Sequence, residues 1–90
     1  MASFIVSYDL RKHGRDYQAL YSRLEEWKAI RILESVWLIK WNTTASKIRD
    51  DLKEKIDSND ALFVAKLTGE AAWQGKLLSS NDAVKAQLKN

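Results

Sequence analysis

Two short runs of this chain, Val36 to Trp41 and Ala61 to Leu67, read as β-strands that are apolar on both faces. In the first, Trp37, Ile39 and Trp41 point one way while Val36 and Leu38 point the other; in the second, Phe63, Ala65 and Leu67 oppose Leu62 and Val64. An antiparallel sheet with one wet face normally carries polar residues on that face. The fold must therefore cover both sides of its sheet, and it has 90 residues with which to do so. A chain of that length makes one domain and buries roughly 60–65% of its unfolded surface.

The remaining elements follow from periodicity. Phe4, Val6 and Tyr8 alternate with Ile5, Ser7 and Asp9, a strand that ends in a carboxylate. A basic loop, Arg11, Lys12, His13, Gly14 and Arg15, leads into a helix over about residues 15–28, with Tyr17, Leu20, Tyr21, Leu24 and Trp27 at helical spacing. From Ile30 to Trp41 the β-branched and aromatic content predicts two strands meeting near Glu34 and Ser35, with a single bent strand as the competing reading. Thr43 or Thr44 caps a second helix with Ala45, Ile48, Leu52 and Ile56 on one face, ended by Asp57, Ser58, Asn59 and Asp60. With no proline and three glycines, punctuation falls to such Asn, Asp, Ser and Thr clusters.

The order strand, helix, strand, strand, helix, strand predicts an α+β, ferredoxin-like βαββαβ antiparallel sheet over residues 3–67, with both helices on one face. Residues 68–90 form a tail whose bulky anchors are Trp73, Leu77 and Leu78, packing on the domain or on a partner. The other sheet face is then bare yet apolar, which predicts a homodimer joined through the sheet.

Apolar residues at 46% and charged residues at 30% exclude a disordered chain. No apolar run approaches the roughly 18 residues of a membrane span, and no signal-type segment opens the chain, so a soluble cytoplasmic protein without a membrane partner is expected. The absence of cysteine and the single His13 exclude disulfides and thiolate or histidine-rich metal sites; any metal is hard and oxygen-ligated. The net charge of +3 is compatible with a local basic patch for RNA or DNA.

Asp9 shares the parity of Ile5 and Ser7 and points to the predicted dimer face. A two-fold axis supplies a second Asp9, and two carboxylates with waters make an octahedral site for magnesium or manganese that activates water against a phosphodiester. The plainer alternative is an aspartate that ends a strand and accepts backbone bonds in the next turn. Arg11, Lys12, His13 and Arg15 beside it, with Arg31 nearby, suit phosphate oxygens, or else form a solvated loop whose charges answer Asp9 and Asp16. Tyr8, Trp37 and Trp41 could stack bases, although core packing accounts for them first.

The run from Phe4 through Tyr8-Asp9 to Leu10, the arginine-rich helix entry, and Arg31-Ile-Leu-Glu-Ser-Val-Trp37 together resemble the second type of CRISPR-associated adaptation protein, as a divergent, stand-alone relative. Trp37 stands where that family has phenylalanine, and Leu33 and Glu34 stand where it has glutamine before Ser-Val-Phe. The resemblance implies a ferredoxin-like homodimer, related to VapD-type toxin ribonucleases. It acts either as a metal-dependent endonuclease on RNA or DNA or as a bridge between integrase subunits. By the same resemblance Asp9 is the catalytic and metal-binding carboxylate, Tyr8 its neighbour, Arg15 and Arg31 phosphate contacts, and Ser35 with Trp37 the Ser-Val-Phe position. Three functions thus compete: a magnesium- or manganese-dependent endonuclease, a non-catalytic nucleic-acid scaffold, and a regulatory or assembly protein that uses the fold for dimerisation.

Overall fold

The computed structural model describes residues 1–89. Strand β1 (Ala2–Asp9) is followed by α1 (Gln18–Glu26), β2 (Ile30–Leu33), β3 (Val36–Trp41), α2 (Ala45–Leu52) with a 3-10 turn at Lys53–Lys55, β4 (Ala61–Leu67) and α3 (Asn81–Leu88). The four strands form one sheet in the order β2-β3-β1-β4 with every neighbouring pair antiparallel. Architecture is therefore α+β, and the strand order is compatible with the ferredoxin-like expectation through residue 67. The break between β2 and β3 falls at Glu34 and Ser35, as the two-strand reading requires.

Register explains the core. Phe4 lies opposite Ile39, and Val6 opposite both Trp37 and Val64, so one parity of the sheet meets α1 and α2. Against it pack Leu20 and Leu24 from α1 and Ile48 and Leu52 from α2, all essentially sealed from water. Each such leucine contributes about 1.5–3 kcal/mol by burial.

Helix α1 is shorter than its periodicity predicts. Asp16 Oδ1 accepts from the Gln18 amide at 2.9 Å, a local turn that competes with helix at the entry. At the exit, the Lys28 amide donates to Glu25 O at 2.9 Å and the Ala29 amide to Leu24 O at 3.0 Å, the bond pair of a Schellman stop. Lys28 consequently sits at φ +64°, a left-handed position that glycine takes without strain. Thr44 caps α2, its Oγ1 accepting from the Lys47 amide at 3.3 Å.

The second sheet face is not bare, which corrects the sequence expectation. The tail carries a third helix, α3, capped by Ser80 Oγ accepting from the Ala83 amide at 3.1 Å. Its Val84 is 1% exposed, and beneath it Leu38 and Ser3, on the parity opposite the main core, are 3% and 2% exposed. Ser3 Oγ donates to the Gln87 carbonyl, and Gln87 Nε2 donates to Lys28 O at 3.4 Å. Ahead of the helix, the Leu78 amide bonds Ile32 O at 2.9 Å and Ser79 Oγ bonds Arg31 O at 2.7 Å, along the outer edge of β2. The anchor is thus Val84, whereas Leu78 is 64% exposed. Apolar surface persists on this face at Phe63 and Leu33, both half exposed or more. No helix among the described residues is long and apolar enough to cross a membrane.

Candidate functional site

The hairpin register sets Arg31 of β2 opposite Trp37 of β3. The guanidinium carbon lies 4.9 Å from the centroid of the Tyr21 ring and 5.6 Å from that of Trp37, within cation–π reach of both. Its Nε donates to Glu34 O at 2.8 Å, and Nη2 reaches the same carbonyl and, at 3.4 Å, the Tyr8 hydroxyl. Trp37 Nε1 donates to that hydroxyl at 2.9 Å. Burial pushes the Tyr8 phenol up, against the opposing pull of Trp37 and the Arg31 charge, so the hydroxyl keeps its proton at neutral pH.

Among the described residues, no carboxylate pairs with Arg31. It borders an open cleft of about 340 Å³ with Tyr8, Asp9, Leu10, Tyr21, Glu34 and Ser35. A positive charge fixed by two rings and a carbonyl, with its remaining donors uncommitted, is suited to one phosphate oxygen. Four residues singled out in the sequence, Tyr8, Asp9, Arg31 and Ser35, thus line one cleft. Tyr8 and Trp37 support it from below: at 6% and 4% exposure their rings are core, and they offer no stacking surface. Trp41 packs on Trp27 with centroids 5.1 Å apart.

Asp9 projects from the end of β1 with its side chain 69% exposed, and its Oδ2 meets Arg11 Nε at 3.1 Å. No group of three His, Cys, Asp or Glu side chains able to hold a metal occurs among the described residues. Glu34 is the other acidic residue bordering the Arg31 cleft, and the two fall short of such a group.

The basic loop is neutralised from an unexpected direction. Asp57, just before β4, faces Lys12 Nζ at 3.6 Å and Arg15 Nη1 at 3.8 Å. Next to it, Asp60 accepts the Arg11 amide at 2.6 Å, the Tyr17 hydroxyl at 2.7 Å and the Asp57 amide at 2.7 Å. Burial works against ionisation of Asp60, but those three donors and the Arg15 charge outweigh it and hold the carboxyl below its ordinary value. Sequence reasoning assigned the answering charges to Asp9 and Asp16; Asp9 does pair with Arg11, while Asp16 turns to the helix entry. It also missed Tyr21, whose position one turn after Tyr17 on the core face of α1 is the signal that would have found it. Arg11, Lys12 and Arg15 are therefore answered by carboxylates within the molecule, whereas Arg31 is held by rings, a carbonyl and a hydroxyl without one among the described residues. The chain matches no family model and no solved structure.

Proposed function

We propose that this protein binds nucleic acid, taking a backbone phosphate at the Arg31 cleft. The observation that carries this reading is the guanidinium itself: held over Tyr21 and Trp37, bonded to the Glu34 carbonyl, unpaired with any carboxylate among the described residues, and open to a cleft. Arginine in that setting offers a fixed charge at little further entropic cost, and a phosphodiester supplies the missing anion. A homodimer across the part of the sheet that α3 leaves uncovered, centred on Phe63, fits the same reading and sets two clefts on one assembly.

Binding is tested by fluorescence anisotropy with labelled single- and double-stranded RNA and DNA at low salt. Arg31→Gln is expected to weaken binding at least about tenfold, with the melting temperature little changed. Absence of binding by the wild-type protein to all four probes would leave the assembly-protein reading in its place. A metal-dependent endonuclease is the second reading, favoured by the presence of Asp9 on the rim of the same cleft as Arg31. It needs both Asp9 carboxylates of a dimer around magnesium or manganese. Cleavage lost in Asp9→Asn and in chelator supports it; cleavage that survives the substitution removes Asp9 from the chemistry.

A further inference from the structure

Gln87, in the last turn of α3, joins three separate segments. Its carbonyl receives Ser3 Oγ, Ser3 is paired in register with Lys40 at the end of β3, and its side-chain amide donates to the backbone of Lys28 after α1. Lys85 and Lys89, four residues apart on and just beyond α3, flank Gln87 and are exposed. The backbone segments that carry Lys28, Lys40, Lys85 and Lys89 thereby meet at one corner of the molecule. None of the four lysines forms an ion pair among the described residues.

One of the four is held at a conformational cost. Lys28 occupies the left-handed position of the Schellman stop at φ +64°, where glycine is the unstrained residue. A long cationic side chain at a site that favours no side chain is the pattern of strain retained for function.

We infer that this lysine corner is a second contact surface for the phosphate backbone of a nucleic acid. The inference rests on the reading of the Arg31 cleft as a nucleic-acid site. A single guanidinium in a cleft accounts for one phosphate, and a polymer with many phosphates is the ligand that makes use of four further unpaired cations away from it.

The experiment compares wild type, Arg31→Gln, a quadruple variant (Lys28, Lys40, Lys85 and Lys89 each to Gln) and Lys28→Gly. Affinity for a labelled 20-nucleotide strand and its duplex is measured from low to moderate salt, with thermal melts on each protein. The quadruple variant is expected to bind at least about tenfold more weakly and to lose roughly 3 from the slope of log affinity against log salt, while melting near wild type. Lys28→Gly is expected to melt higher than wild type yet bind about twofold more weakly, a divergence that a purely structural lysine does not produce. A quadruple variant that binds with wild-type affinity and slope, while Arg31→Gln loses binding, overturns the lysine corner and leaves the cleft reading standing. Wild type that binds no nucleic acid overturns both. Binding of wild type to anionic phosphatidylserine vesicles but to neither probe identifies the corner as a lipid-facing surface and overturns the inference as well.

Discussion

At the scale of single residues, Asp60 shows how one carboxylate can close a loop. It accepts bonds from the β1–α1 loop, from α1's entry through Tyr17 and from its own turn, so three pieces of backbone are fixed by one side chain. Because its folded-state pKa lies below the ordinary value, its contribution is fully present above that ordinary value and is lost as pH falls through the lowered one. Melts from pH 7 to pH 2.5 should show wild type losing stability on the acid side. Asp60→Asn, which has no charge to protonate, should show a flatter acid limb, with a melting temperature at pH 7 lower by about 4–8 °C. Lys28 carries the opposite expectation: Lys28→Gly relieves the left-handed strain and should stabilise by about 0.5–1 kcal/mol in urea unfolding. Neither residue's role is visible in a local pattern, since each depends on a partner segment or a helix end that the one-dimensional order does not specify.

The elements differ in how openly they announce themselves. The span from Ser3 to Asp9 alternates, that from Ala61 to Leu67 is a nearly continuous apolar run of β-prone side chains, and the strands form where those patterns lie. Thr44 ahead of an amphipathic run marked α2 equally well. Helix α3 was hidden because Val84 is its one deeply buried residue, set among alanine, lysine and glutamine, so the period is faint. Its cap at Ser80 followed by good helix formers was the available signal. The Arg31 cleft was half legible: the arginine, Asp9 and Ser35 could be picked out, but the rings that hold the guanidinium depend on the β2–β3 register and on the pose of α1. This unequal anchoring makes a prediction. Val84→Ala should cost about 1–3 kcal/mol, and Val84→Asp should release α3 while the sheet stays folded. Hydrogen exchange would then show fast exchange at residues 81–88 against retained protection in β1 and β3; uniform loss of protection would mean that α3 and the sheet unfold as one unit.

For the whole molecule, the third helix changes the argument about self-association. The chain itself covers Leu38 and Ser3, so the apolar surface that this face leaves to the proposed dimer is the region around Phe63, with Leu33 on the far strand. A dimer that uses this smaller area should be weak enough to dissociate on dilution, well short of the interfaces of obligate pairs. Sedimentation velocity over a concentration series should show a monomer–dimer equilibrium in wild type and a monomer throughout in Phe63→Glu, with an unchanged melting temperature at low concentration. A wild type that is monomeric at high micromolar concentration would show that the proposed dimer does not form through this face.

Strand β1 occupies the middle of the sheet, with β3 on one side and β4 on the other, yet it precedes both neighbours in the chain. A nascent chain therefore presents Phe4, Ile5 and Val6 without either neighbour until Val36–Trp41 has emerged, and without the second until Leu67 has cleared the ribosome. At synthesis rates of about 5–20 residues per second that interval lasts seconds, far longer than the microseconds in which a hairpin forms. Order of synthesis thus bears on the folding of this protein: a central strand waits, exposed to chaperones and to other nascent chains, first for β3 and then for β4, whose pairing residues are encoded some sixty codons later.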